Sequence, residues 1–263
     1  MKHNLKVIFI MVFLFLLSQF IGLYIVDKSI GEELALGVEK PQLQGNTSFI
    51  YIFIVILLVT IFALILAKFK AVRLWKIWFF ISIVVVLTIA LGFFVNQWIA
   101  LALSLIAAYF KVVKPNMIIH NFSELFLYGG LAAIFVETLS IISISILLIL
   151  IALYDMYAVW KSKHMITLAK FQGKMNILAG LFIPYREKNK ERIAILGGGD
   201  LGFPLLFSGV IMKTFGNLAL IIPLITALSL FLLLYYGDKN KFYPAMPYLA
   251  IGCFVGYGLI LLF

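Results

Sequence analysis

Two aspartates lie in otherwise apolar stretches of the sequence, where an ionisable side chain is energetically costly. Asp155 is found in LLILIALYDMYAVW, and Asp200 follows three glycines in IAILGGGDLGFPLLFSGV. A carboxylate inside a membrane needs a partner and marks a functional site by default. Two adjacent carboxylates cannot easily both be ionised, so they share a proton and can act together as general base and general acid. The first question is therefore whether the chain brings these two residues together.

The composition assigns the chain to the polytopic membrane proteins. Of its 263 residues, 64% are hydrophobic and only 12% are charged, and the mean hydropathy is +1.14. So few charged side chains cannot cover the surface of a soluble domain of this length. The net charge of +10 comes from Lys and Arg residues placed between apolar runs rather than along one basic face. This placement argues against a nucleic-acid partner and for a lipid bilayer.

The cysteine and histidine content gives no basis for a metal or other cofactor. Cys253 is the single cysteine, which excludes an internal disulfide and a cysteine-based metal site. The three histidines are scattered, and no two have the spacing of zinc ligands. We expect no cofactor.

Hydropathy predicts an all-α membrane protein with nine transmembrane helices in one domain over residues 1–263. Each span needs roughly 17–25 residues. The first apolar run has no cleavage site of the signal-peptide type, so we expect it to be retained. A single helix over 119–160 would be about 60 Å long, twice the thickness of the bilayer core, so we expect a turn near Glu137–Thr138. The predicted spans lie near 6–26, 49–67, 76–95, 97–112, 119–138, 141–160, 193–213, 217–236 and 244–263.

The distribution of basic residues orients these spans. With the N-terminus in the cytoplasm, 18 of the 21 Lys and Arg residues fall on the inside, and Lys28, Lys40 and Lys213 fall outside. Positive charge on the cytoplasmic side is the rule for membrane proteins. The prediction is a multi-pass cell-membrane protein with a cytoplasmic N-terminus and an extracellular C-terminus. Spans one to six occupy 1–160, a cytoplasmic loop occupies 161–192, and spans seven to nine occupy 193–263.

This topology brings the two aspartates to a similar depth. Asp155 precedes Lys161 by six residues and Asp200 follows Arg192 by eight, so helical rise places them about 9 and 12 Å from the cytoplasmic face. Two consecutive antiparallel helices thus present two carboxylates at one level. A shared-proton pair of aspartates can activate water and hydrolyse a peptide bond, and neither role is assigned to one residue. Glu124 and Glu137 lie near span ends, where a structural hydrogen bond is the favoured interpretation.

Three motifs resemble those of the presenilin and signal peptide peptidase family. LYDMYAV is similar to the family's Tyr-Asp motif on helix six, and LGGGDLGFP to its Gly-x-Gly-Asp motif on helix seven. YPAMPYL resembles its Pro-Ala-Leu motif at helix nine, and KSKHMITLA after span six is also presenilin-like. The motifs occur in the family's order over the whole nine-helix plan, and the compact chain is most similar to archaeal members.

The resemblance implies an intramembrane-cleaving aspartyl protease with Asp155 and Asp200 as its catalytic pair. Its expected partners are single-span transmembrane substrates and the bilayer, and no obligatory accessory subunit is predicted. Pro244, Ala245 and Met246 would contribute to substrate binding, with Met in place of the family's Leu.

Several neighbouring residues have both a functional and a structural interpretation. Gly197 and Gly199 leave room for water or a substrate backbone beside Asp200, or they allow close helix packing. Tyr154 supplies a hydrogen bond near Asp155, or it is an aromatic anchor. Pro204 lacks a backbone donor and is expected to loosen its helix. Gly202, two residues after Asp200, has no explanation in the resemblance.

Cleavage within a helix requires the substrate to unwind. We expect the unwound segment to add as a strand to an exposed backbone edge supplied by residues 175–192 and by Pro244–Met246. Backbone without regular hydrogen bonds is tolerated at such depth only where it lines an enclosed or wet cavity.

Three other functions are compatible with some of these features. A proton- or cation-coupled transporter would also use two membrane carboxylates, but an internal repeat typical of many transporters is not visible. A prepilin-type peptidase also contains Gly-x-Gly-Asp, but Gly202 and the single cysteine depart from that family's pattern. A scaffold without catalytic activity would leave the matched depth of the aspartates unexplained.

Overall fold

The protein is described here by a computed structural model that covers residues 4–42, 47–161, 179–187, 190–238 and 243–262. Most of the predicted 161–192 loop, including nearly all of KSKHMITLA, lies outside these residues. The described chain is mostly helical and contains one β-hairpin. Its elements are α1 (Leu5–Ser29), α2 (Ser48–Lys68), α3 (Val72–Gly92), α4 (Gln97–Ala108), α5 (Met117–Phe135), α6 (Ile141–Met156), β1 (Gly180–Glu187), β2 (Lys190–Gly197), α7 (Gly198–Phe215), α8 (Ile221–Tyr236) and α9 (Met246–Ile260).

Short polar side chains begin several of the helices. The side chains of Asn4, Asn96 and Asn116 accept backbone N–H groups at the starts of α1, α4 and α5. Ser140 does the same for α6, directly after a 3₁₀ turn over Val136–Thr138. Such caps satisfy N–H groups that have no partner inside the helix. The predicted break near Glu137–Thr138 is therefore confirmed.

Among the described residues, six helical stretches are long and apolar enough to cross a membrane, which agrees with an integral membrane protein of the multi-pass class. Two shorter apolar helices, Gln97–Val113 and Met246–Ile260, fall at the predicted fourth and ninth spans. The longest stretch, Gly198–Tyr236, contains 39 residues and covers two predicted spans.

Aromatic contacts show how α7 runs relative to α9. The ring centroids of Phe207 and Phe254 are 5.4 Å apart, and those of Phe215 and Tyr257 are 6.0 Å apart. Residue numbers rise together in the two pairs. Helices α7 and α9 are therefore parallel.

Glycine contacts show that α8 runs in the opposite direction to α9. A Cβ added at Gly252 would lie 2.8 Å from Cα of Thr226, and one at Gly256 would lie 2.8 Å from Cα of Ile222. The two glycines are four residues apart, the small-xxx-small spacing that lets membrane helices approach closely. Since α8 is antiparallel to α9, it is also antiparallel to α7. The 39-residue stretch is thus two helices, and the chain reverses at Gly216, whose φ of +54° suits glycine.

The hairpin is a correction to the all-α prediction and to the predicted start of span seven. Residues 193–197 belong to β2 and not to a helix, so α7 begins at Gly198. Helical rise therefore does not give the distance from Arg192 to Asp200. In the antiparallel register, Leu181 pairs with Leu196 and Ile183 with Ala194. These four side chains are buried on one face, as the two-residue period of a strand requires.

The largest apolar cluster is formed by α1, the N-terminal half of α2, α5 to α9 and the hairpin. A second cluster joins α2, α3 and α4. The hairpin is therefore packed into the main helical core, beside the N-terminal end of α7.

We expect Gly256→Ala to destabilise the protein because the new Cβ would press on the backbone of Ile222. Overpacking of this kind costs about 1–3 kcal/mol of unfolding free energy. Gly258→Ala is the matched control, since a Cβ there has nothing within 4 Å, and helix propensity predicts a neutral or slightly favourable effect. Denaturant titration in detergent measures both. Equal losses in the two variants would contradict the proposed helix contact.

Candidate active site

Asp155 lies at the C-terminal end of α6 and is half-buried. Its Oδ2 accepts a hydrogen bond from the backbone N–H of Met246 at 3.2 Å, and the backbone of Ala245 also hydrogen-bonds to this carboxylate. The segment predicted to bind substrate thus contacts one of the two aspartates directly. Helix α9 begins at Met246 with a proline in its first turn, which leaves Pro244 and Ala245 outside the helix.

Asp200 is the third residue of α7 and is also half-buried. Pro204 lies four residues later in the same helix and has no N–H to donate to the carbonyl of Asp200. The next carbonyl, that of Leu201, accepts a hydrogen bond from the buried side chain of Gln19 on α1 at 2.9 Å. The series of backbone hydrogen bonds in α7 is therefore interrupted at the carbonyl of Asp200, and the carbonyl of the next residue receives a hydrogen bond from α1.

The helix contacts place the two aspartates at one level. Helix α6 packs against α7, and α9 packs against both. Phe207 of α7 contacts Phe254 of α9. Asp200 lies seven residues before Phe207, and Pro247 lies seven residues before Phe254, so each is about 10 Å along its helix from this contact. Asp200 is thus level with Pro247, next to the residue that hydrogen-bonds to Asp155. Both carboxylates lie at the same end of the α6–α7–α9 group.

The glycines around Asp200 differ in what surrounds them. A Cβ added at Gly197 would lie 3.2 Å from Oδ2 of Asp200, so this glycine makes room for the carboxylate itself. A Cβ at Gly199 would make an ordinary 3.6 Å contact with Phe203. At Gly198, by contrast, a Cβ would lie 2.6 Å from the hydroxyl oxygen of Tyr128. The tightest steric requirement thus falls on Gly198, which the sequence did not single out.

Gly202 lies on the same helix face as Gly198. It lies one helical turn after Gly198, and a Cβ there would be 3.4 Å from Cδ1 of Tyr128. The Tyr128 side chain therefore packs across both glycines.

Tyr154 has Thr60 of α2 as a hydrogen-bond partner, a group other than Asp155.

The hairpin presents one satisfied and one open edge. The N–H of Gly180 donates to Oε2 of Glu124, and its carbonyl oxygen is 2.7 Å from Nε2 of His120. Both backbone groups of Phe182 hydrogen-bond to the Asn121 side chain. The backbone N–H and C=O groups of Gly180 and Phe182 therefore point away from β2. In an antiparallel pair, the backbone groups of the residues opposite them in β2 then point away from β1. The outer edge of β1 is covered by α5.

The outer edge of β2 is formed by the backbones of Ile193 and Ile195. Within the described residues, these outward N–H and C=O groups have no hydrogen-bond partner. Their side chains are 52% and 48% exposed. This strand therefore offers a free backbone edge flanked by apolar side chains, beside the start of α7.

A buried ion pair was missed by the sequence interpretation. Lys111 lies in the turn after α4, and Glu124 lies on α5. The two side chains form a salt bridge, and each residue is only 1% exposed. Lys111, one of the basic residues predicted on the cytoplasmic side, is thus paired inside the protein and not exposed at its surface. The sequence signal for this pair was a basic and an acidic residue at adjacent span ends.

Glu137, the other span-end carboxylate, pairs with Lys40 at 2.9 Å and accepts the N–H of Gly31.

Comparisons with known proteins agree on one family. The family described as signal-peptide peptidase, presenilin aspartyl protease matches residues 12–263. Two crystal forms of a presenilin family intramembrane aspartate protease have similar structures at 21% sequence identity. The C222 form has a TM-score of 0.67 and covers 97% of this chain and 98% of its own; the P2 form has a TM-score of 0.66 and covers 96% of each. At this identity the structural similarity establishes the fold. Curated proteins include no significant match.

Proposed function

Because the chain belongs to the signal-peptide peptidase and presenilin family of aspartyl proteases, we propose that it hydrolyses peptide bonds inside single-span transmembrane helices with Asp155 and Asp200 as the catalytic pair. The observation on which this depends is the common level of the two carboxylates at one end of the α6–α7–α9 group. An unpaired carboxylate would be costly at this position, whereas two that share a proton stabilise each other.

The proposed reaction is a general acid–base hydrolysis. The ionised carboxylate accepts a proton from water as the water oxygen bonds to the scissile carbonyl carbon, and the protonated carboxyl group donates its proton to the carbonyl oxygen. The resulting gem-diol then collapses. Its C–N bond breaks, a proton passes to the nitrogen, and a carboxylic acid and an amine are released. The pair acts as one unit, so neither role is assigned to a single aspartate.

The contact between α6 and the start of α9 supports a positioning role for Pro244–Met246. The N–H of Met246 occupies one side of the Asp155 carboxylate, which orients it for the reaction. Pro244, two residues before Met246, is buried and lies outside the helix. A substrate segment bound beside this irregular backbone would lie next to Asp155.

The open edge of β2 is the proposed site for the unwound substrate. A transmembrane helix hides its peptide bonds, so it must unwind before cleavage, and its freed backbone groups then need partners. Addition of a strand at Ile193 and Ile195 would provide those partners. The exposed apolar side chains of these residues suit a substrate taken from the membrane interior.

We propose nine spans with a cytoplasmic N-terminus and an extracellular C-terminus, supported by the alternating directions of α7, α8 and α9. Labelling of Glu33→Cys from outside and Arg73→Cys from inside sealed vesicles tests this orientation, and the reverse pattern would overturn it.

The family match supports proteolysis and gives no support to a proton- or cation-coupled transporter.

Asp155→Asn and Asp200→Asn are each expected to reduce the cleavage rate of a single-span substrate at least about a hundredfold, because general acid–base catalysis contributes this much or more. Asp27→Asn, at an exposed carboxylate at the far end of α1, is the control and should cleave normally. Turnover in detergent and inhibition by an aspartyl-protease transition-state mimic are measured together. Persistent cleavage by either active-site variant would refute the catalytic pair.

Ile195→Pro tests strand addition without disturbing the β1–β2 hydrogen bonds. Proline removes the outward N–H of residue 195, and it is tolerated at an open edge. We expect at least about a tenfold lower kcat/KM, with most of the loss in KM, because one or more backbone hydrogen bonds to substrate are lost. Ile195→Val keeps both the N–H and the β-branched shape and should remain close to normal. Equal cleavage by the proline and valine variants would exclude this edge as the substrate site.

A further inference from the structure

A buried charge cluster lies directly behind the first turn of α7. Lys111 and Glu124 form its ion pair, and Lys111 also approaches the hydroxyl of Ser123 at 3.4 Å. His120 lies one helical turn from Glu124, with Nε2 3.8 Å from Oε1. Charges buried in an apolar surrounding are retained only when they are paired and hydrogen-bonded. The Glu124 carboxylate is therefore held in a defined position.

The second oxygen of Glu124 links α5 to β1. Oε2 accepts hydrogen bonds from the Tyr128 hydroxyl, one turn later on α5, and from the N–H of Gly180 on β1. Both donors are fixed by the same oxygen atom. The Tyr128 side chain is consequently held at its far end as well as at its backbone.

The Tyr128 ring fills the space left by two glycines of α7. Its hydroxyl and Cε1 lie against Gly198, and Cδ1 lies against Gly202. These glycines flank Asp200 on either side in the sequence and share one face of the helix, because residues four apart are neighbours on a helix surface. The ring thus contacts the turn that presents the aspartate, from the side of α5.

We propose that Tyr128, held by the Lys111–Glu124 pair, is a positioning residue that sets the orientation of the first turn of α7 and hence of Asp200. The inference rests on the proposed function, in which Asp200 is one of the catalytic carboxylates. Tyr128 itself has no place in the reaction steps. It acts through the helix turn that it contacts.

The first turn of α7 needs such support for two physical reasons. Pro204 removes one hydrogen bond from the ladder at the carbonyl of Asp200, and residues 197–199 have no side chains to pack against neighbouring elements. A reacting group must be held to within about 0.5 Å of its productive position. A rigid ring with its hydroxyl fixed by a buried carboxylate supplies that restraint from outside the helix.

The test compares Tyr128→Phe with wild type in the full-length protein in detergent. The substitution keeps the ring and removes the hydroxyl that Glu124 holds. We expect kcat for a single-span substrate to fall about tenfold and KM to stay within about twofold, since only the alignment of the reacting group changes. Affinity for an aspartyl-protease transition-state mimic should fall by a similar factor, because the mimic reports transition-state binding. The thermal midpoint is recorded to exclude unfolding.

A double-variant cycle distinguishes positioning from general damage. Gly198→Ala would place a Cβ 2.6 Å from the Tyr128 hydroxyl oxygen, so it should lower kcat in the wild-type background. In Tyr128→Phe that oxygen is absent. The remaining neighbours of the Cβ, Cε1 of the ring at 3.2 Å and Cβ of Ala179 at 3.3 Å, need to move only slightly, so Gly198→Ala should then have less than about a twofold further effect. Tyr257→Phe is the matched control, because its ring packs on Phe207 and Phe215 away from Asp200. It should retain wild-type kcat.

The outcomes separate the two levels of inference. If Asp200→Asn still cleaves substrate, the proposed function fails and the role of Tyr128 fails with it. If Asp200→Asn is inactive but Tyr128→Phe keeps wild-type kcat, only the positioning role is overturned. Multiplicative losses from Gly198→Ala and Tyr128→Phe would also overturn it. A fall in kcat with unchanged KM, together with the loss of the Gly198→Ala effect, would support it.

Discussion

Every buried ionisable group in an apolar helical bundle needs a partner, and this requirement organises the protein. Asp155 is hydrogen-bonded to the backbone at the start of α9, and Glu124 to Lys111, Tyr128 and the hairpin. Each carboxylate therefore ties together segments that are distant in sequence. The cost of a charge in a medium of low dielectric constant is what makes these contacts specific.

The same requirement applies to the backbone of the hairpin. A strand has polar groups on both edges, and inside a membrane protein these groups cannot be left to lipid. Side chains of His120, Asn121 and Glu124 satisfy the edge of β1, and the register turns the outward backbone groups of Ile193 and Ile195 away from β1, where no described residue hydrogen-bonds to them. One helix, α5, thus both closes one edge of the sheet and supports the helix that presents Asp200.

Part of this arrangement was predictable from local pattern. Hydropathy predicted the long helices, and the length limit predicted the break before α6. The catalytic pairing of the two aspartates, inferred from their apolar surroundings, stays a prediction. The hairpin was not predictable in the same way, because IAILG is equally suited to an apolar helix start and to a strand, and only pairing with residues 180–187 decides between them. The predicted depth of Asp200 relied on helical rise and therefore lost its basis when residues 190–197 proved to be a strand.

The sequence by itself determined the class of the protein and its family, because apolar runs, basic flanks and short motifs are properties of neighbouring residues. Only the tertiary structure decided what the glycines beside Asp200 accommodate. Gly197 makes room for the carboxylate, whereas Gly198 makes room for Tyr128, a residue some seventy positions earlier in the chain. Steric exclusion depends on which atoms meet in space, and that information is absent from the local sequence around LGGGDLGFP.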